Sequence, residues 1–153
     1  MTKIVVQTFI AAPPEVCFDA ARDVEFHCRT TAWTRERVVG GKARGLLELG
    51  DLVAFEAVHF GIRQKLTAKI TAFDRPHFFS DEMQRGAFTS LKHTHQFTAR
   101  DGGTRMRDTL KFVSPFGILG QIFDTLVLKR YMRRFLRRKN RAFEQLVEAG
   151  KYA

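Results

Sequence analysis

Ile62-Arg63-Gln64-Lys65-Leu66-Thr67-Ala68-Lys69-Ile70-Thr71 alternates without a break. Ile62, Gln64, Leu66, Ala68 and Ile70 share one face; Arg63, Lys65, Thr67, Lys69 and Thr71 share the other. A repeat of two residues is that of a β-strand with one face covered. The pattern recurs on both sides, from residue 52 to residue 113. Residues 52–60 put Val53, Phe55 and Ala57 on one face. Residues 77–83 align Phe79, Asp81 and Met83. The next strand aligns Leu91, His93, His95 and Phe97. The last aligns Met106, Asp108, Leu110 and Phe112 opposite Arg105, Arg107, Thr109 and Lys111. Gly61, Phe73-Asp74-Arg75-Pro76, Gln84-Arg85-Gly86 and Arg100-Asp101-Gly102-Gly103 separate the segments, and such residues favour turns.

Outside this meander the period changes. Leu119, Ile122, Phe123, Leu126, Phe135, Phe143, Leu146 and Val147 recur at three or four, which predicts one helix over residues 120–149 with these side chains against the sheet. At about 1.5 Å per residue such a helix crosses the whole sheet. Upstream, residues 3–10 read as a first strand rich in β-branched residues. Ala11-Ala12-Pro13-Pro14-Glu15 opens a short helix, Asp23 caps a second, and residues 31–39 read as strand two before a turn at Gly40-Gly41-Lys42. The expectation is an α+β fold: a curved, seven-stranded antiparallel sheet wrapped around a long C-terminal helix, with two short helices after strand one. Short loops and 153 residues suit one domain, 1–153. A curved sheet closed by one helix leaves room for a small ligand.

Composition narrows the classes. Hydrophobic residues make up 44%, and no apolar run reaches membrane-spanning length. The first residues enter a strand pattern directly, with no signal-peptide pattern, and we expect a cytoplasmic protein. Two cysteines, Cys17 and Cys28, make no disulfide framework. Fifteen phenylalanines suit a cavity with aromatic walls. The formal net charge is +10, and much of it lies in Lys129, Arg130, Arg133, Arg134, Arg137, Arg138, Lys139 and Arg141. The plain reading of such a run is a solvated helix face. Its interleaving with Tyr131, Met132, Phe135 and Leu136 makes it amphipathic, so Arg130, Arg133, Arg134, Arg137 and Arg138 are also candidates for an anionic membrane surface. No nucleic-acid-binding motif occurs.

Buried polar positions carry the functional information. Strand parity puts Asp81, His93, His95 and Asp108 on the covered face. A hairpin centred on Asp101-Gly102 pairs residues that sum to about 203, so His95 faces Asp108. A hairpin centred near Gly86-Ala87, with an even sum near 174, pairs Asp81 with His93. Directly opposed Cβ atoms lie about 5 Å apart. Two carboxylates and two imidazoles then share one patch, with Gln64 beside it and Phe55, Leu66, Phe79, Met83, Phe97 and Phe112 as apolar walls. Three roles remain open: a satisfied structural network, a polar anchor for an apolar ligand, or catalysis or metal binding. Pairing with aspartate is expected to raise the histidine pKa values. Neither cysteine nor any serine sits on the patch, so no nucleophile is assigned. No cofactor and no metal is assigned either.

Ala11-Ala12-Pro13-Pro14-Glu15-Val16-Cys17-Phe18 resembles the entry into the first helix of the START/Bet v 1-like (SRPBCC) superfamily. Phe116-Gly117-Ile118-Leu119-Gly120 before the closing helix resembles it too. Phe79-Ser80-Asp81-Glu82-Met83 and His93-Thr94-His95-Gln96-Phe97 are similar to a bacterial subgroup of polyketide cyclase/dehydrase-like proteins. The resemblance covers essentially the whole chain and implies a helix-grip fold with a ligand cavity. Members of the superfamily bind small ligands, and some cyclise polyketides; the curved sheet and the lack of a recognisable catalytic constellation favour binding of a small, mostly hydrophobic ligand (lipid, polyketide or isoprenoid-like) by a non-catalytic carrier or sensor. Two alternatives stand beside it: a cyclase/dehydratase-type enzyme using a His–Asp pair among His93, His95, Asp81 and Asp108, and a membrane-surface adaptor acting through the basic helix.

Overall fold

The computed structural model describes residues 1–152. In chain order the elements are β1 (Thr2–Ile10), α1 (Pro14–Ala21), α2 (Val24–Thr30), β2 (Arg37–Gly41), β3 (Leu52–His59), β4 (Ile62–Asp74), β5 (Phe78–Arg85), β6 (Ser90–Arg100), β7 (Gly103–Val113), α3 (Gly117–Phe123) and α4 (Lys129–Glu148). The seven strands form one antiparallel sheet, ordered β1-β7-β6-β5-β4-β3-β2. The expected α+β helix-grip architecture is present.

Local chemistry sets the joints. Pro14 starts α1, where its missing N–H costs nothing. Asp23 caps α2 by accepting from the Phe26 N–H at 3.0 Å. Asp101 (φ 48°) and Gly102 (φ 76°) are both left-handed, the mark of a two-residue hairpin with the favoured twist. That turn registers β6 on β7 with His95 opposite Asp108. Asp81 lies opposite His93 across β5 and β6. Both pairings are those the sequence predicts. The register slips are elsewhere, in β2–β3 and β4–β5, and leave the patch's register intact.

Two segments differ from expectation. Strand two is only Arg37–Gly41, because Ala32–Thr34 forms a 3-10 turn with Trp33 in it. Gly40 and Gly41 end the strand instead of turning, across a bulge near Val39. The closing helix is also not continuous. α3 runs into a π-helical stretch, Asp124–Leu128, before α4 begins. The wider turn breaks the helical phase between the residues up to it and the covered face of α4. Consequently Leu119, Ile122, Phe123 and Leu126 do not cover the sheet; Leu119 is 75% exposed and Leu126 65%. Phe143 and Val147 are buried as expected.

The core has two parts. Phe18 sits at the centre of one, edge-on to Phe73, Phe79 and Phe97 at 5.3, 5.3 and 5.4 Å. Phe26 and Phe143 extend it to the end of α4. The other joins Ile4, Leu110 and Phe112 to Leu128 and Leu136. Such edge-to-face contacts add to area burial. No helix among the described residues is long and apolar enough to cross a membrane.

Candidate functional site

Between the sheet and α4 lies a cavity of about 720 Å³, within the usual range for small-molecule pockets. Phe55, Gln64, Leu66 and Phe79 line it, as do Asp81, His93 and His95. These seven stand where the sequence puts them. Four others do not line it. Phe97 packs on Phe18, Phe112 lies against Phe88, and Met83 packs into the core around Leu110. Asp108 is 1% exposed, behind the histidines. Parity gave these four the right face, but depth along the strand decides which side chains reach open space.

Asp108 organises the polar patch. Its Oδ1 accepts from His93 Nε2 at 2.7 Å and meets His95 Nδ1 at 3.1 Å. Its Oδ2 accepts from Asn140 Nδ2 of α4 at 2.8 Å. His95 Nε2 reaches Asp81 Oδ2 at 3.1 Å. Two of the bonds are therefore diagonal to the strand register, His93 to Asp108 and His95 to Asp81, beside the directly opposed His95–Asp108 contact. Ionised carboxylates only accept, so a nitrogen bonded to one carries a proton. His95 has a carboxylate at each nitrogen and is best satisfied as the imidazolium. It is stacked between Phe79 (centroids 4.3 Å apart) and His93 (3.8 Å), a setting that favours a cation. His93 needs only one proton. Its Nδ1 has no partner among the described residues, and no buried side-chain nitrogen is left unpaired, so Nδ1 opens on the cavity.

The titration directions agree. Burial disfavours charge on His95, but hydrogen bonds to Asp108 and Asp81 outweigh it and the pKa is raised. For His93, burial and the neighbouring His95 charge win, and the pKa is lowered. The expected rise thus holds for one histidine and not the other. Burial opposes the charge on Asp108, yet hydrogen bonds from His93 and His95 hold it well below the ordinary carboxylate value. Burial opposes the charge on Asp81 as well, but the His95 hydrogen bond and the nearby positive charges outweigh it and its pKa is lowered.

The structure brings further polar residues to the cavity. Lys139, only 9% exposed, lines the cavity instead of joining the solvated basic face. It makes no ion pair among the described residues, but its charge helps lower Asp81 and Glu36. Glu36 pairs with His27 Nε2 on the cavity wall. His59 Nδ1 and the Tyr131 hydroxyl are 2.6 Å apart, and burial lowers the His59 pKa. His59 continues the Val53-Phe55-Ala57 face by parity, and Tyr131, Phe135 and Lys139 are successive positions of one helix face. Those periodicities were the available signals. His27 and Glu36 had none. The remaining basic residues behave as expected: Arg130, Arg134, Arg137 and Arg138 are exposed and Arg133 is half-buried. Arg138 covers the Trp33 ring at 4.4 Å.

Metal binding has a geometric basis and an electrostatic objection. Donor atoms of Asp81, His93 and His95 lie within 4.8 Å of one another, and His and carboxylate donors suit zinc or iron. A cation there would displace protons from His95 and compete with the Lys139 ammonium.

The solved structures similar to this one share its fold at low identity. A protein of Thermus thermophilus superimposes with a TM-score of 0.77 at 20% identity, covering 97% of this chain and 99% of its own. One from Mycobacterium smegmatis gives 0.74 at 21%, covering 97% and 92%. Major latex-like protein 151 of Panax ginseng gives 0.71 at 14%, covering 94% and 95%. No curated protein matches the chain in sequence. The family model described as "Polyketide cyclase / dehydrase and lipid transport" matches residues 1–148. With nearly the whole chain matched, and with the cavity between sheet and helix, the chain belongs to the polyketide cyclase / dehydrase and lipid transport family.

Proposed function

We propose that this chain binds a small, mostly apolar ligand (a lipid, polyketide or isoprenoid-like molecule) and acts as a non-catalytic carrier or sensor. The cavity of about 720 Å³ carries this reading. Its walls are largely apolar (Val53, Phe55, Leu66, Phe79, Leu110, Phe135), and several of its polar groups are held in pairs, His95 with Asp81, His27 with Glu36 and His59 with Tyr131. Charge is also balanced in the patch: the negative charges of Asp81 and Asp108 face His95 and Lys139. A ligand hydroxyl or carbonyl can hydrogen-bond there while its hydrocarbon body fills the remaining space. The same reading puts the chain in the cytoplasm, where its free thiols, Cys17 and Cys28, stay reduced.

One observation favours an enzyme as the second reading. His93 bonds Asp108 through Nε2 and offers a bare Nδ1 to the cavity. That is a general base held in one tautomer by a carboxylate. It would take a proton from an enolisable carbon of a bound polyketide-like substrate. Asp108 would stabilise the imidazolium, and Lys139 the developing oxyanion.

Native mass spectrometry of gently purified protein, compared with its denatured mass, tests the first reading. A mass of lipid or polyketide size that disappears on denaturation supports it. A zinc- or iron-sized increment instead moves the histidine patch to metal binding. His93→Ala separates carrier from enzyme. A carrier keeps ligand affinity within a few-fold, whereas an enzyme retains binding and loses about 100-fold or more in turnover.

A further inference from the structure

The chain leaves the sheet at Val113 and must double back before α4 can cross it. Half of the exposed large hydrophobic side chains among the described residues, seven of fourteen, fall in the twelve positions from Phe116 to Val127. Phe116 is 83% exposed, Ile118 and Leu119 75% each. Monomers rarely leave so many apolar side chains contiguous without a use. Phe116 also has φ 75°, a left-handed conformation that an L-residue adopts at a cost. Its ring packs on nothing that compensates.

The neighbouring surface says what covers this face. Arg130, Arg134, Arg137 and Arg141 are all exposed and recur at four, three and four residues, which makes one stripe along α4. Leu126 and Arg130 are four residues apart, so the stripe continues where the apolar tip ends. No acidic residue lies between Asp124 and Glu144, and Asp124 is buried on the Ser114 hydroxyl. A second copy of this chain would bring arginines against arginines. An anionic bilayer offers the complement on both counts: an acyl region for the tip and phosphates for the guanidinium groups. Phe60, Phe116, Leu119 and Phe123 are exposed and also line the cavity, so they form its rim.

We propose that residues 116–127 are a membrane-docking tip that inserts into an anionic bilayer while the arginine stripe rests on its headgroups. Docking turns the cavity mouth toward the hydrocarbon, so an apolar ligand moves between bilayer and cavity without crossing bulk water. The docking itself does not depend on what the cavity holds.

Co-sedimentation with phosphatidylcholine vesicles, with and without phosphatidylglycerol, tests this. The expected result is binding that needs phosphatidylglycerol and weakens as salt is raised. Leu119→Ser with Leu126→Ser, and separately Arg134→Glu with Arg137→Glu, should each weaken it by about tenfold or more. All four side chains are exposed, and unchanged thermal melts verify folding. If the serine pair does perturb the fold, the arginine pair still reads out alone. Absence of binding at low salt, or binding indifferent to phosphatidylglycerol, overturns the proposal. So does a dimer in solution that the serine pair dissociates, which would assign the face to a second copy. Uptake of a soluble apolar dye by the cavity, measured without vesicles, keeps failure of docking distinct from failure of ligand binding.

Discussion

Asn140 of α4 donates a 2.8 Å hydrogen bond to Asp108 Oδ2, the carboxylate whose other oxygen serves both His93 and His95. One side chain of the helix thus completes a polar network built on three strands. The sheet's buried charge and the position of the helix are mechanically linked.

Removing either end should cost stability. Asp108→Ala strips the counter-charge from His95 and leaves Asn140 unpaired, and we expect a loss of about 3 kcal/mol. Asn140→Ala leaves one oxygen of a buried carboxylate unsatisfied, and about 2 kcal/mol is expected. Urea unfolding at neutral pH measures both. A change under about 0.5 kcal/mol at Asp108 would mean that the network is not closed in solution.

The two histidines should titrate in opposite directions. In an NMR titration His95 is expected above the ordinary imidazole value and His93 below it, with His95 falling in Asp108→Asn. The folded pKa of His95 lies above its unfolded value of about 6.5. Its contribution to stability is therefore complete below that value and is lost as pH rises through the folded pKa. His93 acts in reverse, with stability lost as pH falls from about 6.5 through its depressed folded value. The stability gap between wild type and His95→Gln should narrow on raising pH from acid to alkaline. A gap independent of pH would remove His95 from its role as the cation.

Filling the cavity should weaken binding strongly without unfolding the protein. Ala68 is 5% exposed and borders the open space on β4. Ala68→Phe projects a ring into that space, and affinity for a hydrophobic dye should fall by about tenfold or more. Stability should change by less than about 1.5 kcal/mol, because the volume enters a void. Retained dye affinity would show that the dye binds elsewhere, with the exposed tip at Leu119 the next place to look.

Phe18 should be the costliest core position. It is fully buried and touches three aromatic rings. Phe18→Ala should lose about 3–5 kcal/mol and Phe18→Leu clearly less, by thermal or urea unfolding. Similar small losses for both would mean that α1 is loosely held on the sheet.

Much of this was legible beforehand. The strand alternation at residues 62–71 and the Asp101-Gly102 turn are local, because period and turn type are set by neighbouring residues. They were sufficient to pair His95 with Asp108 and Asp81 with His93. The same periodicity, carried further, would have reached His59 and Lys139. Periodicity alone assigned Leu119, Ile122, Phe123 and Leu126 to the covered face of α4, from which the π-helical stretch puts them out of phase.

By itself, then, the sequence determined the order of elements, the register of the last hairpins and the residue types on the covered face. Those follow from backbone hydrogen bonding and side-chain alternation, which act over a few residues. The tertiary structure decided the rest: which of those side chains reach open space, that two of the patch's bonds run diagonally, that Asn140 joins the patch and Lys139 the cavity from α4, and that His27 and Glu36 line the cavity. Each depends on the distance between elements far apart in the chain, a distance set by how the whole core packs.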